Sequence, residues 1–590
     1  MAYKAPIEDI EFAYFDLLDV PSILKSTFAD ELLDRDLAEA TFRELAKLCE
    51  NTLAPLNRIG DEEGCRLERG EVKTPPGFIE AFAAFANGGW IGLNASSEFG
   101  GHELPGVLNV IMHEMLMSSN LSFADYIGLP QAAMKAISAH APDALKEKWL
   151  PELVSGKTCA TMCLTEPQCG TDLGLIRTKA IKVSDDIYEL SGNKIFISAG
   201  DHDLTDNILH LVLARIEDSP PGVRGLSLFL CPKLLDDDGE QARNTVHPVR
   251  LENKMGYKAA STCEMQFDSA KACLIGKPNR GLHAMFTMVN TARLLVALQG
   301  LGTADAAYQA AADYAKDRLQ GRALTGPTHP DELADPLIDF PDVRRMLLST
   351  RSFTEGARAI AIWVGAQIDI AEHSQDQDAQ IFAHDIVALL TPVIKASFSD
   401  FGFRSCNDCM QIFGGHGYIR DTGVEQFVRD ARIAQIQEGA NAIQALDLIG
   451  RKLRSNDQRA WTSFCGLVDD TLSGLQAYPE LATYQVQLST AFEDVKSATQ
   501  DILGRLDQDP NLMGAAGVDY LRAVALLTFA WMWARILICV QTKSASDPLR
   551  KSKTELATYY FERELPAIQL HLSLARLPST TLMQMPATSF

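Results

Sequence analysis

Glu438 is the residue whose type and setting best fit a catalytic role. It stands directly before Gly439, and from Ile443 to Leu453 apolar residues recur every three or four positions, as on one buried helix face. The sequence therefore predicts a break at Glu438 followed by a helix. A carboxylate desolvated by apolar neighbours has a raised pKa and can serve as a general base. The alternative is a carboxylate that only complements the positive end of the helix dipole.

A second stretch, MCLTEPQCGTD at Met162–Asp172, has the composition of an anion- or cofactor-binding loop. We predict that a strand ends at Thr165 and that Pro167 and Gly170 shape a tight loop after it. Such a loop presents backbone N–H groups, together with the hydroxyls of Thr165 and Thr171, in one direction. These groups suit a phosphate or the edge of a ring cofactor.

Two further stretches combine glycine or an aromatic residue with a predicted strand or helix end. KIFISAG at Lys194–Gly200 places Phe196 where its flat face could cover a planar ring, with Ser198 two residues on. QIFGGHGY at Gln411–Tyr418 contains a glycine pair that permits close approach to a ligand. Taken singly, each stretch also has a purely structural interpretation, as a core aromatic or a turn.

The elements that must position these stretches follow from hydrophobic periodicity. The fold class is predicted to be mainly α with a central antiparallel β-domain. The order is helical, β, helical and a further helical module, at residues 1–158, 159–280, 281–455 and 456–590. Within the β-domain, Tyr188–Ser198 alternates around a Ser-Gly-Asn sequence and predicts a hairpin. Leu282–Arg318 is predicted to form one long helix.

Composition excludes several classes of protein. The chain has 590 residues, 46% hydrophobic and 22% charged, which is ordinary for a soluble globular protein with a large core. The formal net charge of -23 argues against a nucleic-acid-binding surface. The N-terminal MAYKAPIEDIEF has no apolar core and does not fit a signal peptide. Arg535 interrupts the apolar run Ala523–Val540, so we expect a buried helix and no transmembrane span.

Cysteine usage points to a reduced compartment. Twelve cysteines scattered among apolar residues are typical of a cytoplasmic chain and not of a disulfide scaffold. Cys406 and Cys409 form a CxxC near His416, but a zinc site would need a second pair at similar spacing. Packing inside a helix is the interpretation we favour, and no metal is expected.

Together and in this order, the motifs MCLTEPQCGTD, KIFISAG, RLLVALQGLG, QIFGGHGY and QEGANAIQ resemble the acyl-CoA dehydrogenase family, over roughly residues 40–455. SAGDHDLTDNI, KMG, FTMVNTARL and DFPDVRRML resemble a longer bacterial subgroup with extra C-terminal helices. That subgroup acts on fatty acyl-CoAs or on methylmercaptopropionyl-CoA. The resemblance implies an N-terminal helical domain, an antiparallel β-barrel, a four-helix bundle and a C-terminal helical extension, with FAD between barrel and bundle.

The resemblance also assigns roles to single residues. Glu438 matches the base that removes the α-proton of an acyl-CoA, after which a hydride passes from the β-carbon to FAD and a 2-enoyl-CoA is formed. The substrate contacts implied are Thr171, Asn290, Arg293 and Gly439. The FAD contacts implied are Met162, Leu164, Thr165, Gly170, Thr171, Phe196, Ile197, Ser198 and Ala440, and, on the FAD of a neighbouring subunit, Arg318, Gln320, Gln411, Gly414 and Gly415.

The sequence departs from the family pattern beside the base. Gln437 stands where an aromatic residue is common, and Ala440 stands where Thr or Ser is common. Ala440 removes a hydroxyl expected near the FAD adenine, and Gln437 changes the polarity next to Glu438. Phe196 replaces the usual Trp but keeps a flat apolar face.

The resemblance further implies partners and competing functions. Reduced flavin would pass its electrons to an electron-transfer flavoprotein, and the extra C-terminal helices favour a homodimer. The alternatives are an acyl-CoA oxidase, which uses oxygen as acceptor, and a catalytically altered member that only binds acyl-CoA.

Overall fold

A computed structural model describes residues 3–184, 186–237 and 240–590. The N-terminal helices are α1 Ile7–Glu11, α2 Val20–Leu24, α3 Arg35–Leu48, α4 Ala54–Glu63, α5 Phe78–Asn87, α6 Gly106–Ser119, α7 Leu121–His140 and α8 Asp143–Val154. A short antiparallel pair, β1 Arg66–Glu68 and β2 Glu71–Lys73, lies between α4 and α5.

The central strands are β3 Thr158–Cys163, β4 Lys179–Lys182, β5 Ile187–Ser198, β6 Asn207–Ile216, β7 Leu226–Pro232, β8 Leu234–Asp237, β9 Glu240–Arg243, β10 Val246–Leu251 and β11 Thr262–Ile275. The bundle helices are α9 Gly281–Asp317, α10 Pro341–His373, α11 Gln377–Ile412, α12 Val424–Ala431 and α13 Asn441–Asp447. The C-terminal helices are α14 Arg459–Gln476, α15 Ala482–Arg505, α16 Leu512–Val540, α17 Pro548–Tyr559, α18 Ala567–Ala575 and α19 Thr580–Met583. The predicted fold class, mainly α with a central β-domain, is confirmed.

The central sheet closes on itself. β11 pairs with β5, β5 with β4, β4 with β6, β6 with β7, and β7 again with β11. This ring is a barrel, as predicted, but the prediction of a purely antiparallel sheet is wrong, because β6 runs parallel to both β3 and β4. β6 is buried along most of its length, and a short continuous apolar run does not by itself show the direction of the neighbouring strand.

The predicted hairpin over Tyr188–Ser198 is also wrong. These residues form one continuous strand, β5, which pairs through its middle with β11, Gly192 opposite Phe267. A Cβ at Gly192 would lie 2.5 Å from the Thr178 Oγ1, so the glycine is needed for close packing and not for a turn.

Three long helices, α9, α10 and α11, form the centre of the bundle. The single helix predicted over Leu282–Arg318 is confirmed as α9. Its Gly300 lies against α11, where a Cβ would be 2.1 Å from the Phe398 carbonyl oxygen, and Gly402 lies equally close to Gly300. Small residues here let the two backbones touch and fix the crossing point of the helices.

The C-terminal module packs on the bundle through α16, which contacts α10, α11 and α13. Trp531 and Trp533 of α16 are buried, and Trp531 meets Trp363 of α10 edge to face at 4.8 Å between ring centroids. By length and composition α9, α11 and α16 could each cross a membrane. Of the most apolar window of α16, 83% is buried inside the protein, so its apolar surface is used in packing.

Candidate active site

Glu438 lies at a backbone reversal between a 3₁₀ turn, Arg432–Gln435, and α13. Its φ is +54° and that of Gly439 is +86°, both in the left-handed region that side chains rarely adopt. Strained backbone at a carboxylate is frequent at functional sites. The predicted break followed at once by a helix is confirmed.

Two buried polar side chains hold this reversal in place. The Gln444 Nε2 of α13 donates to the carbonyl oxygens of Glu438 at 3.1 Å and Gly439 at 3.0 Å. The Lys395 Nζ of α11 donates to the Gly439 carbonyl at 2.9 Å and to the Asn441 Oδ1 at 3.0 Å. The backbone that carries the Glu438 carboxylate is therefore held by side chains of two bundle helices.

The surroundings of Glu438 favour its protonated form. Burial raises its pKa to about 7, against the opposing effect of the Arg293 and Lys395 cations, while Asp125 adds to the rise. Arg293 is itself held by the Asp447 carboxylate at 3.4 Å. A carboxyl with a pKa near 7 exchanges protons readily at physiological pH, as a general base must.

A cavity opens beside this carboxyl. Met162 and Ser198 of the β-domain line it together with residues of α6, α7 and α9. Met117, Leu129 and Leu295 make part of the wall apolar. Glu438, Met162 and Ser198, predicted from three separate stretches, thus meet at one site.

The loop after β3 is built around Glu166. This buried carboxylate accepts from the Lys194 Nζ at 2.9 Å, from the Thr178 Oγ1 at 2.5 Å and from the backbone N–H of Arg177 at 2.7 Å. Lys194 also donates to the Leu164 carbonyl at 3.0 Å. These bonds fix the loop that carries the predicted cofactor contacts.

Within and before this loop the predicted residues are accessible. Leu164 and Thr165 are half-buried, and Gly170 and Thr171 are exposed. No atom lies within 4 Å of a Cβ built at Gly170, so the space beside its backbone is open. An open backbone next to a hydroxyl is what a phosphate group needs.

Phe196 has the most unusual setting of the predicted cofactor contacts. Its φ is +58°, and the register of β5 against β11 shifts at this point. The bulge turns the ring outward, where 60% of the residue is exposed. Its neighbour Ile197 is buried, and Ser198 is half-buried at the cavity.

These observations fit FAD. An outward aromatic ring on a strained strand supplies a flat apolar surface for a flavin ring, and the Gly170–Thr171 backbone is open for a diphosphate. The residues that would hold the cofactor here are Met162, Leu164, Thr165, Phe196 and Ser198.

A second group of predicted FAD contacts lies at the C-terminal ends of α9 and α11. The ring of Tyr314 stacks on Phe413 at 4.1 Å between centroids and so joins the two ends. No atom lies within 4 Å of a Cβ built at Gly414 or Gly415. All the predicted contacts of this group are exposed, and none lines the cavity at Glu438: Arg318, Gln320, Gln411, Gly414 and Gly415.

The predicted substrate contacts fall into different environments. Arg293 is buried one helical turn from Asn290, which is exposed. Gly439 is half-buried beside the base.

Ala440, one of the predicted FAD contacts, occupies the N-cap of α13, where it provides no side-chain hydrogen bond to the helix.

Sequence reasoning missed several polar residues around the base. Lys395 stands alone in the apolar stretch LLTPVIKASF, and Asp125 stands alone in LSFADYIGLP. A single charge inside an apolar helix is a usable signal, because burying it requires a partner. Gln299 and Gln444 carried no such signal.

The CxxC pair is buried inside α11, as the packing interpretation expected. Burial raises the pKa of the Cys406 thiol to about 12, so it stays protonated. Among the described residues no group of three or more His, Cys, Asp or Glu side chains is placed to hold a metal ion.

Models of known protein families match nearly the whole chain. Residues 38–157, 161–270 and 279–453 match the N-terminal, middle and C-terminal domains of acyl-CoA dehydrogenase. Residues 464–586 match a domain described as acetyl-CoA dehydrogenase C-terminal like.

Individual proteins agree with these matches. The chain is 40% identical to 3-methylmercaptopropionyl-CoA dehydrogenase of Ruegeria pomeroyi, over 90% of each chain. It is 30% identical to a broad-specificity linear acyl-CoA dehydrogenase of Mycobacterium tuberculosis, over 100% of each chain. Its fold is similar to that of an acyl-CoA dehydrogenase from Bacillus anthracis complexed with FAD, with a TM-score of 0.76, 19% identity and coverage of 97% of this chain and 92% of the other. The chain therefore belongs to the acyl-CoA dehydrogenase family of FAD-dependent oxidoreductases.

Proposed function

We propose that this enzyme converts an acyl-CoA into its 2-enoyl-CoA, with Glu438 as the base that removes the α-proton. The observation that carries the proposal is the position of Glu438. Its carboxyl has a pKa raised by burial to about 7 and lines one cavity with Ser198 and Met162 of the predicted flavin-binding strands.

The residues around the base would act as follows. A Glu438 carboxylate oxygen takes the α-proton of the thioester. Arg293 and Lys395 lower the pKa of Glu438 and so favour the ionised carboxylate near neutral pH. The Glu438 backbone N–H would donate to the thioester oxygen as negative charge develops there. When bound, FAD supplies a two-electron acceptor for the hydride of the β-carbon. The apolar side chains Met117, Leu129 and Leu295 would limit access of water to the reacting atoms.

The proposal also covers the substrate and the partners of the enzyme. The Ruegeria relative is named for 3-methylmercaptopropionyl-CoA and the mycobacterial one for linear acyl-CoAs, so we propose a linear acyl-CoA, fatty or methylmercapto-substituted. Such a reaction belongs to acyl-CoA degradation, including fatty acid β-oxidation. An electron-transfer flavoprotein would reoxidise the flavin of a cytoplasmic homodimer.

The test is anaerobic bleaching of the enzyme-bound flavin by acyl-CoAs. Wild type should bleach, while Glu438→Gln should retain FAD and lose bleaching by at least about a hundredfold in rate. Normal bleaching by the variant would exclude Glu438 as the base. Peroxide formation in air without another acceptor would favour an oxidase, and failure of every acyl-CoA to bleach wild type would favour a member that only binds its ligand.

A further inference from the structure

A row of hydrogen bonds lines one side of the cavity at Glu438. The Gln437 Nε2 donates to the Gln299 Oε1 at 2.6 Å, and the Gln299 Nε2 donates to the Tyr257 hydroxyl at 3.3 Å. Tyr257 in turn hydrogen-bonds the carboxyl of Asp125. We call these four residues the polar wall. They come from four separate parts of the chain: the reversal at Glu438, α9, the loop between β10 and β11, and α7.

The carboxyl at the end of the polar wall fixes the direction of the whole row. Burial raises the pKa of Asp125 to about 6, so at neutral pH its carboxyl is ionised and can only accept. The Tyr257 hydroxyl then donates to Asp125 and must accept from Gln299. The Nε2 of Gln299 therefore faces Tyr257 and its Oε1 faces Gln437. Neither amide can be flipped without placing two acceptors or two donors together.

This direction leaves donors for a ligand. Each amide has two N–H groups and uses one within the polar wall, so the second N–H of Gln299 and of Gln437 has no protein partner among the described residues. Both glutamines line the cavity, Gln299 being only 3% exposed in the described chain. Covering these donors with a plain alkyl chain would leave them without hydrogen bonds.

The carboxyl groups that line the cavity exclude further classes of ligand. Asp125 and Glu438 line the same cavity, so an acyl group that ends in a carboxylate would meet two carboxyls. A cationic group cannot accept a hydrogen bond from an amide N–H. The group that satisfies the polar wall is an uncharged hydrogen-bond acceptor.

We propose that the polar wall selects acyl-CoAs whose chain carries an uncharged acceptor atom, such as an ether oxygen, over alkyl chains of equal length. The inference rests on the proposed function and concerns its substrate class. Gln299 and Gln437 are the specificity-determining residues, and Tyr257 and Asp125 orient them.

The test compares isosteric substrates on the FAD-containing enzyme. One pair is 4-methoxybutanoyl-CoA and hexanoyl-CoA, the other 3-methoxypropionyl-CoA and pentanoyl-CoA. Wild type should favour the ether over its alkyl partner in kcat/KM by at least about tenfold in one pair. Gln299→Met and Gln437→Met keep side-chain length without donors and should each remove most of that preference. Any electronic effect of the ether oxygen on the reaction is the same in every variant, so it cancels in the comparison.

The control is Leu295→Met, which conserves volume on the apolar wall of the same cavity and should leave the ratio unchanged. A wild-type enzyme without preference in either pair, or a preference that survives both glutamine changes, would overturn the inference. Either result with normal flavin bleaching leaves the dehydrogenase function standing. Absence of bleaching by every acyl-CoA would instead contradict the proposed function itself.

Discussion

Among single residues, the charges around Glu438 decide at which pH it can act. The ionised carboxylate is the base, so flavin reduction should rise with pH through the pKa of Glu438, which burial raises to about 7. The Arg293 guanidinium lowers that pKa. We predict that Arg293→Met moves the rise of the reduction rate to higher pH, as measured by stopped-flow flavin bleaching across a pH series.

We expect the folded protein to tolerate Arg293→Met. Asp447, the partner of Arg293, keeps a second cation because Arg451 donates to it at 2.6 Å. Arg454→Met removes an exposed cation that pairs only loosely with Asp507, at 3.9 Å, and should leave the profile where it is. A profile that stays in place or moves to lower pH in Arg293→Met would show that the guanidinium does not act on the base.

Ala440 leads to a second prediction about a single residue, on the stability of α13. It is the N-cap of α13, a position where Ser accepts a hydrogen bond from a backbone N–H of the first turn. Ala440→Ser should therefore raise the free energy of unfolding by about 1 kcal/mol. Urea denaturation measures this, and a parallel titration of apoprotein with FAD shows whether the added hydroxyl also strengthens cofactor binding. A variant no more stable than wild type would mean that the serine does not cap α13.

At this scale the sequence predicts residues that belong to a recognisable pattern. Glu438 before a glycine and a periodic helix was such a case. The side chains that hold it, Lys395 and Gln444, act through backbone carbonyls, and a carbonyl position is a property of the folded chain. Gln299 meets Gln437 across 138 positions of sequence, a pairing that no local pattern contains.

At the level of elements, β5 shows how a glycine can be misread. Ser-Gly-Asn is a common turn sequence, but Gly192 lies within a continuous strand against Thr178. The long helix over Leu282–Arg318 is predictable because the segment is rich in Ala and Leu, which are strong helix formers. Strand direction is harder to predict, because the parallel strand β6 is buried along most of its length and such a continuous apolar run is ambiguous.

The packing at Gly192 leads to a prediction for the cofactor loop. A methyl group there would displace the Thr178 hydroxyl, which donates to Glu166 at the centre of the loop after β3. Burial opposes ionisation of Glu166, but Lys194 and Thr178 hold its pKa at about 2. Gly192→Ala should cost about 1–3 kcal/mol in unfolding free energy and weaken FAD retention.

The measurements are urea denaturation and flavin content after gel filtration. Gly466→Ala is the control, since a Cβ at this exposed position of α14 meets no atom within 4 Å. Alanine in a helix interior should be neutral or stabilising there. Unchanged stability and full flavin content in Gly192→Ala would mean that β5 shifts to admit the methyl group.

Across the whole molecule, a buried ion cluster connects the two ends of the chain. Arg358 of α10 pairs with Glu114 at 2.7 Å, with Asp305 at 3.0 Å, and with Asp9 of α1. Lys553 of α17 also pairs with Asp9. Asp9 and Lys553 are 544 positions apart, so no local pattern predicts their contact. The C-terminal module is thus fixed to the N-terminal domain as well as to the bundle.

Lys553 is the cation through which the C-terminal module joins this cluster. Besides Asp9 it pairs with Glu355 at 2.6 Å and lies 4.7 Å from the centre of the Phe12 ring. Lys553→Met keeps the length of the side chain. Among the described residues it leaves the buried Glu355 paired with Arg351 and Asp9 paired with Arg358. Losing one partner of a buried ion pair costs about 3–5 kcal/mol, and we expect the free energy of unfolding at pH 7 to fall by that order.

The loss of stability in Lys553→Met should depend on pH. Burial opposes ionisation of Asp9, yet Lys553 and Arg358 hold its pKa at about 2, below the ordinary value of 3.8. The stabilisation from ionised Asp9 is therefore complete above about pH 4 and is lost as the pH falls through about 2. The difference between wild type and Lys553→Met should shrink over the same range. Lys551→Met, two residues away on the exposed face of α17 and 4.0 Å from Glu555, should change neither quantity. Equal losses in the two variants, or a Lys553→Met deficit that grows in acid, would mean that the C-terminal module is held by apolar packing of α16 and not by the buried ions.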